Sequence, residues 1–112
     1  MSNDQALVEE LMQAGDQSGE RLWEMPLDKE YNDLIRSDIA DVRNIGNRLA
    51  GAITAAWFLK HFAGNTAWAH LDIAGTAWTG SVKPYLAKGA TGFGVRLLTN
   101  FVRNRAAQKG DK

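Results

Sequence analysis

The sequence predicts an α/β protein, on three observations. Between Ile39 and Arg103 the hydrophobic pattern reads strand, helix, strand, helix. That order favours an α/β sandwich with a right-handed crossover. Hydrophobic residues are 45% of the chain, which excludes a disordered one. The length, 112 residues, suits one domain with a single modest core.

The elements follow in order. Ser2 and Gln5 have the spacing of a capping box, with Ser2 as N-cap. Leu7, Val8, Leu11 and Met12 then recur at helical spacing, and Gly15 and Gly19 weaken the helix toward its end. Leu22 to Leu27 is short, apolar and interrupted by Pro26, so it reads as an extended connector. Asp28 can cap a short second helix with Tyr31, Leu34 and Ile35 on one side. Ile39 to Ile45 alternates in character and predicts a strand ending at Gly46. Leu49 to Leu59 is apolar nearly all round and predicts a buried helix, stopped at Gly64-Asn65. Trp68 to Ala74 is the best strand candidate, with Ala69, Leu71 and Ile73 on one face. Gly75 to Lys88 reads as a loop. A glycine cluster, Gly89 to Gly94, leads into a last helix whose stripe is Val95, Leu97, Leu98, Phe101 and Val102. The tail after Ala107 is expected to fray.

Composition excludes several function classes. Thirteen Lys and Arg balance thirteen Asp and Glu, so the basic excess of a nucleic-acid binder is missing. The same balance argues against an anionic membrane surface as partner. Leu49 to Phe62, the most apolar stretch, is too short to span a bilayer. The N-terminus has neither the basic nor the apolar region of a secretory signal, so a cytoplasmic location is expected. With no cysteine there is no disulfide and no thiolate metal site.

Each candidate for chemistry has a plainer explanation. His70 and Asp72 share a strand face, as two metal ligands would, but a site needs three or four ligands and only His61 remains. Supporting a loop is the simpler role. Asp38 and Asp41 could act as general acid and base, yet their spacing does not make them converge. Capping and surface charge explain them as well. The cluster Gly89-x-x-Gly92-x-Gly94 could cradle a phosphate, but it lacks the order of a dinucleotide fingerprint and the lysine of a P-loop. A tight turn packing a helix closely explains it. Trp23, Trp57, Trp68 and Trp78 could stack bases. Without a basic excess, core and interface packing explains them better.

One segment speaks more specifically. Trp68-Ala69-His70-Leu71-Asp72-Ile73-Ala74-Gly75-Thr76-Ala77-Trp78 resembles the M17 leucyl aminopeptidases (cytosol aminopeptidases), near the C-terminal end of their catalytic domain. Four further segments resemble the family in the same order. They are Gly19 to Leu27 (GERLWEMPL), Ser37 to Gly46 (SDIADVRNIG), Ala50 to Lys60 (AGAITAAWFLK) and Lys88 to Arg96 (KGATGFGVR).

The resemblance implies the C-terminal portion of a three-layer α/β/α sandwich with a mixed sheet, residues 1–112 being one catalytic-domain segment. It implies a parent enzyme that removes N-terminal residues, preferably bulky apolar ones, from peptides. The parent uses two divalent ions of zinc or manganese type and assembles as a homohexamer. The family's signature N-T-D-A-E-G-R-L, which carries metal-binding carboxylates, does not occur here; Asn65-Thr66 is followed by Ala67. The metal-binding lysine and aspartates, and the N-terminal domain, are expected upstream of this segment. No residue here matches a catalytic or metal-ligating position, so the segment is expected to bind no metal and to be inactive alone. What carries over is pocket wall. Ala74 and Ala77 match positions lining the pocket for the N-terminal side chain, and some relatives have a larger methionine at the second. Ile45 matches a position lining the pocket for the next residue. The rival reading is a stand-alone non-catalytic association module; a nucleotide binder at Gly89 to Gly94 comes third.

Overall fold

The structure is a computed structural model, and it describes residues 1–110. Cα packing divides the chain into two units, one of Met1–Val8 with Glu24–Leu71, the other of Glu9–Trp23 with the chain from Asp72 onward. Helix α1, Gln5–Ser18, gives its first residues to the first unit and the rest to the second.

In the first unit α1 begins at Asp4, whose carboxylate accepts the Leu7 N–H at 2.8 Å. Asp4, not Ser2, is therefore the N-cap. The Ser2 hydroxyl is engaged elsewhere, donating to the Trp68 carbonyl at 2.7 Å. A 3₁₀ helix, Lys29–Ile35, follows Asp28, which makes no side-chain cap hydrogen bond. Helix α2 is Gly51–Ala63 and stops at Gly64, whose φ of 58° few other residues would adopt. The 3₁₀ helix packs on α2. Leu7, Val8, Ile35, Ile53 and Ala56 are buried. The expectation that α2 is covered all round is corrected: Leu59 and Phe62 are exposed on its other side.

Neither expected strand forms as such. At Ser37–Ala40 the Ser37 hydroxyl accepts the amides of Ile39 and Ala40, at 3.3 and 3.2 Å. That turn uses the very donors a ladder would need, so Ile39 to Ile45 bends instead. At Trp68 to Ala74 only one antiparallel bridge exists, Ser2 to Ala69. It is flanked by Asn3 N–H to Trp68 O at 3.3 Å and His70 N–H to Met1 O at 2.9 Å. A strand exists only where a partner strand is presented, and alternation alone cannot supply one.

The second unit holds the one sheet found among the described residues. Strands β1, Trp78–Thr79, and β2, Gly89–Ala90, pair antiparallel, with Trp78 opposite Ala90. Both lie where the sequence suggested a loop or a glycine turn. Helix α3, Val95–Gly110, extends past Ala107, so the expected fraying is not seen there; Asp111 and Lys112 lie outside the described residues. Of its expected stripe only Leu97 is fully buried, while Val95, Leu98 and Val102 are exposed. Leu11, Ala14 and Glu20 are the other buried side chains of this unit among the described residues. The α/β class stands, as helices with a small antiparallel sheet. The parallel pair that a right-handed crossover would need is not formed among the described residues.

Candidate functional site

Ala74 and Ala77 belong to one tight turn in the second unit. The turn has its own local scaffold. The Asp72 carboxylate accepts the Ala74 N–H at 2.9 Å, and the Ile73 carbonyl accepts the amides of Thr76 and Ala77 at 2.9 and 2.8 Å. Asp72 is thus a turn-capping group, the role that needs no metal. Ala74 is exposed and Ala77 half-buried, with the apolar side chains of Ile73 and Trp78 also reaching solvent beside them. Such a turn offers small apolar surface and no reacting group.

Ile45 lies in the first unit and is exposed. Its segment is held from both sides. The Arg43 N–H donates to the Ile35 carbonyl at 2.8 Å. At Gly46 an added Cβ would come within 3.3 Å of the Thr54 methyl and 3.4 Å of the Leu34 carbonyl. A glycine there lets the backbone bearing Ile45 lie against α2 and the 3₁₀ helix.

The feature that sequence reasoning missed is Glu20. It is almost fully buried, and its carboxylate faces the N-terminus of α3. One oxygen accepts the Gly94 N–H at 3.1 Å and the Leu97 N–H at 2.9 Å. The other accepts the Arg96 Nε–H at 3.2 Å. Burial pushes this carboxyl up, but the hydrogen bonds from Leu97, Arg96 and Gly94 outweigh it and hold it below the usual carboxylate range. The orphan amides of a helix start and its positive dipole end call for an anion. Here the protein supplies its own, so the backbone donors of Gly94 and Leu97 are not free to cradle a phosphate. The signal in the sequence was only a charged residue beside a glycine, Gly19-Glu20, which says nothing of a partner more than seventy residues away.

The glycines of the cluster serve backbone geometry, with φ of 129° at Gly89, 68° at Gly92 and 96° at Gly94. Of the remaining candidates, Asp38 and Asp41 are both exposed. The His70 ring stacks on Trp68 at 6.2 Å between centroids. Trp57 donates its indole N–H to the Asp28 carbonyl at 2.9 Å. Trp23 and Trp78 are exposed and do not pack in a core. An open groove of about 440 Å³ runs along α3 past Gln17, Ser18, Arg96 and Arg103, and neither Ala74 nor Ala77 lines it. No helix among the described residues is long and apolar enough to cross a membrane.

These positions can be set beside known proteins. The family described as "Cytosol aminopeptidase family, catalytic domain" matches residues 1–99. A probable cytosol aminopeptidase of Geobacter sp. (strain M21) is 57% identical over 105 residues, covering 94% of this chain and 21% of that protein. One from Gluconobacter oxydans (strain 621H) is 57% identical over 106 residues, covering 95% of this chain and 22% of that protein. Among solved structures, a mutant tomato leucine aminopeptidase superposes with a TM-score of 0.83 at 38% identity, over 92% of this chain and 20% of that one. The chain spans about a fifth of the length of the curated relatives it matches. With nearly the whole segment matched in sequence and superposed in fold, this chain belongs to the cytosol aminopeptidase family, M17, as a segment of its catalytic domain.

Proposed function

We propose that this segment forms part of the substrate-pocket wall of a leucyl aminopeptidase, an enzyme that removes N-terminal residues from peptides. The observation that carries the reading is the Ala74–Ala77 turn, which lies inside the matched residues and presents small apolar side chains without a reactive group. A hydrophobic slot is shaped by such residues, and binding rather than chemistry is what they can contribute. Ala74 and Ala77 line the pocket for the N-terminal side chain and Ile45 the pocket for the second residue. Residues 1–112 are the C-terminal segment of the catalytic domain. The stand-alone association module is not favoured, because the match is to a peptidase catalytic domain.

The family's two metal ions, manganese or zinc, do not fit the donors present. Among the described residues no group of three or more His, Asp or Glu side chains is placed to hold a metal ion. In this reading the metals and the general base belong to sequence outside the segment. The working enzyme is a cytoplasmic homohexamer acting on peptides, with no nucleic-acid or membrane partner; the relatives' own designation, cytosol aminopeptidase, is in keeping with the location and the peptide substrates alone.

Two measurements test this. The purified 112-residue chain, given manganese or zinc, is expected not to hydrolyse a leucine chromogenic amide. Turnover that co-elutes with the chain would show that it assembles its own metal site and would sink the reading. For the pocket, the segment is grafted in place of the matching fifth of the Geobacter enzyme. There, Ala77→Met narrows the slot, and phenylalanine amide should lose about tenfold in kcat/KM relative to alanine amide, the usual scale for a hydrophobic pocket mismatch. An unchanged ratio would remove Ala77 from the pocket.

A further inference from the structure

The Ala74–Ala77 turn is not held by its local hydrogen bonds alone. The Thr91 hydroxyl donates to the Thr76 carbonyl at 2.6 Å, and the Thr91 N–H donates to the Ala77 carbonyl at 3.0 Å. Thr91 therefore grips two consecutive carbonyls of the turn, the Thr76 one from fifteen residues away. One residue after Ala77 and one before Thr91, the antiparallel β1–β2 pair Trp78 and Ala90 continues the same ladder. The hydroxyl has a second duty, accepting the Phe93 N–H at 3.2 Å. Phe93 is followed at once by Gly94, whose amide is bonded to the buried Glu20 carboxylate. Val95 N–H closes back on the Gly92 carbonyl at 3.1 Å. A continuous set of hydrogen bonds thus runs from Glu20, through the first turn of α3 and the Gly92–Gly94 bend, to Thr91 and the backbone of Ala77. All of it lies in the second unit.

We infer that Thr91 is a positioning residue for the pocket wall, holding the Ala74–Ala77 turn in register through its hydroxyl, with Glu20 anchoring Thr91 from the start of α3. The inference rests on Ala77 lining the pocket. It adds the device that sets where that wall stands. The physical need is clear. A four-residue turn exposed at Ala74, Gly75 and Thr76, with only Ala77 half-buried, has little packing of its own to fix it. A slot that discriminates side chains by size requires its wall to hold still to a fraction of an ångström. A hydroxyl that donates to the Ala74–Ala77 turn and accepts from the Gly92–Gly94 bend supplies that constraint, and valine, with the same branched shape, cannot.

The test separates the brace from the pocket. In the 112-residue chain, Thr91→Val is expected to speed hydrogen exchange at the Thr76 and Ala77 amides at least tenfold while leaving Leu11, in α1, unchanged. Thr91→Ser, which keeps the hydroxyl, should restore the slow exchange. Unchanged exchange at Thr76 and Ala77 in the valine variant overturns the brace whatever the pocket does. In the grafted enzyme, Thr91→Val should raise KM for leucine amide about fivefold with kcat altered less than twofold, and Thr91→Ser should return KM to within twofold of the parent. A uniform loss of kcat with KM unchanged would mean a general structural role and would also overturn the inference. If exchange responds but neither Thr91→Val nor Ala77→Met moves KM or selectivity, the brace exists and the pocket reading is what fails, so Thr91 positions no pocket.

Discussion

Glu20→Ala is expected to destabilise the chain by about 3 kcal/mol, because it leaves the buried amides of Gly94 and Leu97 without an acceptor. In a denaturant titration this is a large share of a small domain's stability, equivalent to a fall in Tm of roughly 10–20 °C. Glu20→Gln should cost less, about 1–2 kcal/mol, since one amide oxygen can still accept both N–H groups. Arg96→Ala should cost at most about 1 kcal/mol, because the Arg96 side chain is 71% exposed and screened by water. The order of the three variants identifies the helix amides, not the ion pair, as what Glu20 serves. Equal losses for Arg96→Ala and Glu20→Ala would reverse that assignment.

The same carboxylate sets a pH dependence. Its folded value lies below its ordinary value of 4.5, so the unfolded chain binds the proton first as pH falls. The stabilisation is complete above 4.5 and is lost as pH drops from there through the depressed folded value. Glu20→Gln should flatten this acid limb while leaving the neutral range flat. An identical acid limb in the variant would exclude Glu20 as its source.

Gly15→Ala is expected to destabilise, against the usual rule. Inside an exposed helix the change would gain about 1 kcal/mol. Here a Cβ on Gly15 would stand 2.8 Å from the Glu20 carbonyl oxygen and 3.3 Å from the Leu97 methyl. The first of these is backbone and cannot swing aside. Either the Gly19–Glu20 link moves, pulling the carboxylate off the α3 amides, or α1 does. Overpacking of this kind costs about 1–3 kcal/mol before the loss at Glu20 is added, so the steric term wins. Gly51→Ala is the contrast. Gly51 opens α2 with nothing within 4 Å of an added Cβ, and the substitution should gain a few tenths of a kcal/mol. Guanidinium melts of the two variants should move in opposite directions; movement in the same direction would mean that the contact at Gly15 does not govern.

How much of this was legible beforehand differs by element. Helix α2 stops at Gly64, the stop the sequence marked, and α1 runs through Gly15 and ends before Gly19, the later of the two glycines that weakened it; Gly19 and Gly64 both have positive φ. The short helix after Asp28 was legible too, though its 3₁₀ geometry was not. The strands were not. Ile39 to Ile45 alternates as a strand does, yet Ser37 takes the amides of Ile39 and Ala40 and the chain bends. The strands that do form, at Trp78 and Gly89, have two residues each, too few to leave a periodic signal.

For the site, the sequence by itself was enough to mark Ala74, Ala77 and Ile45 as the residues to examine, through their place in motifs that resemble a peptidase family. It was also enough to set the α/β class and the presence and approximate extent of the helices, because a helix closes its hydrogen bonds within four residues and its signals are local. Only the tertiary structure decided that Glu20 is the anion at the start of α3, and that Thr91 holds the turn bearing Ala77. Those bonds join residues 74, 77 and 15 positions apart. A buried acceptor and its donor have no fixed spacing in the chain, so nothing short of the folded backbone brings them together.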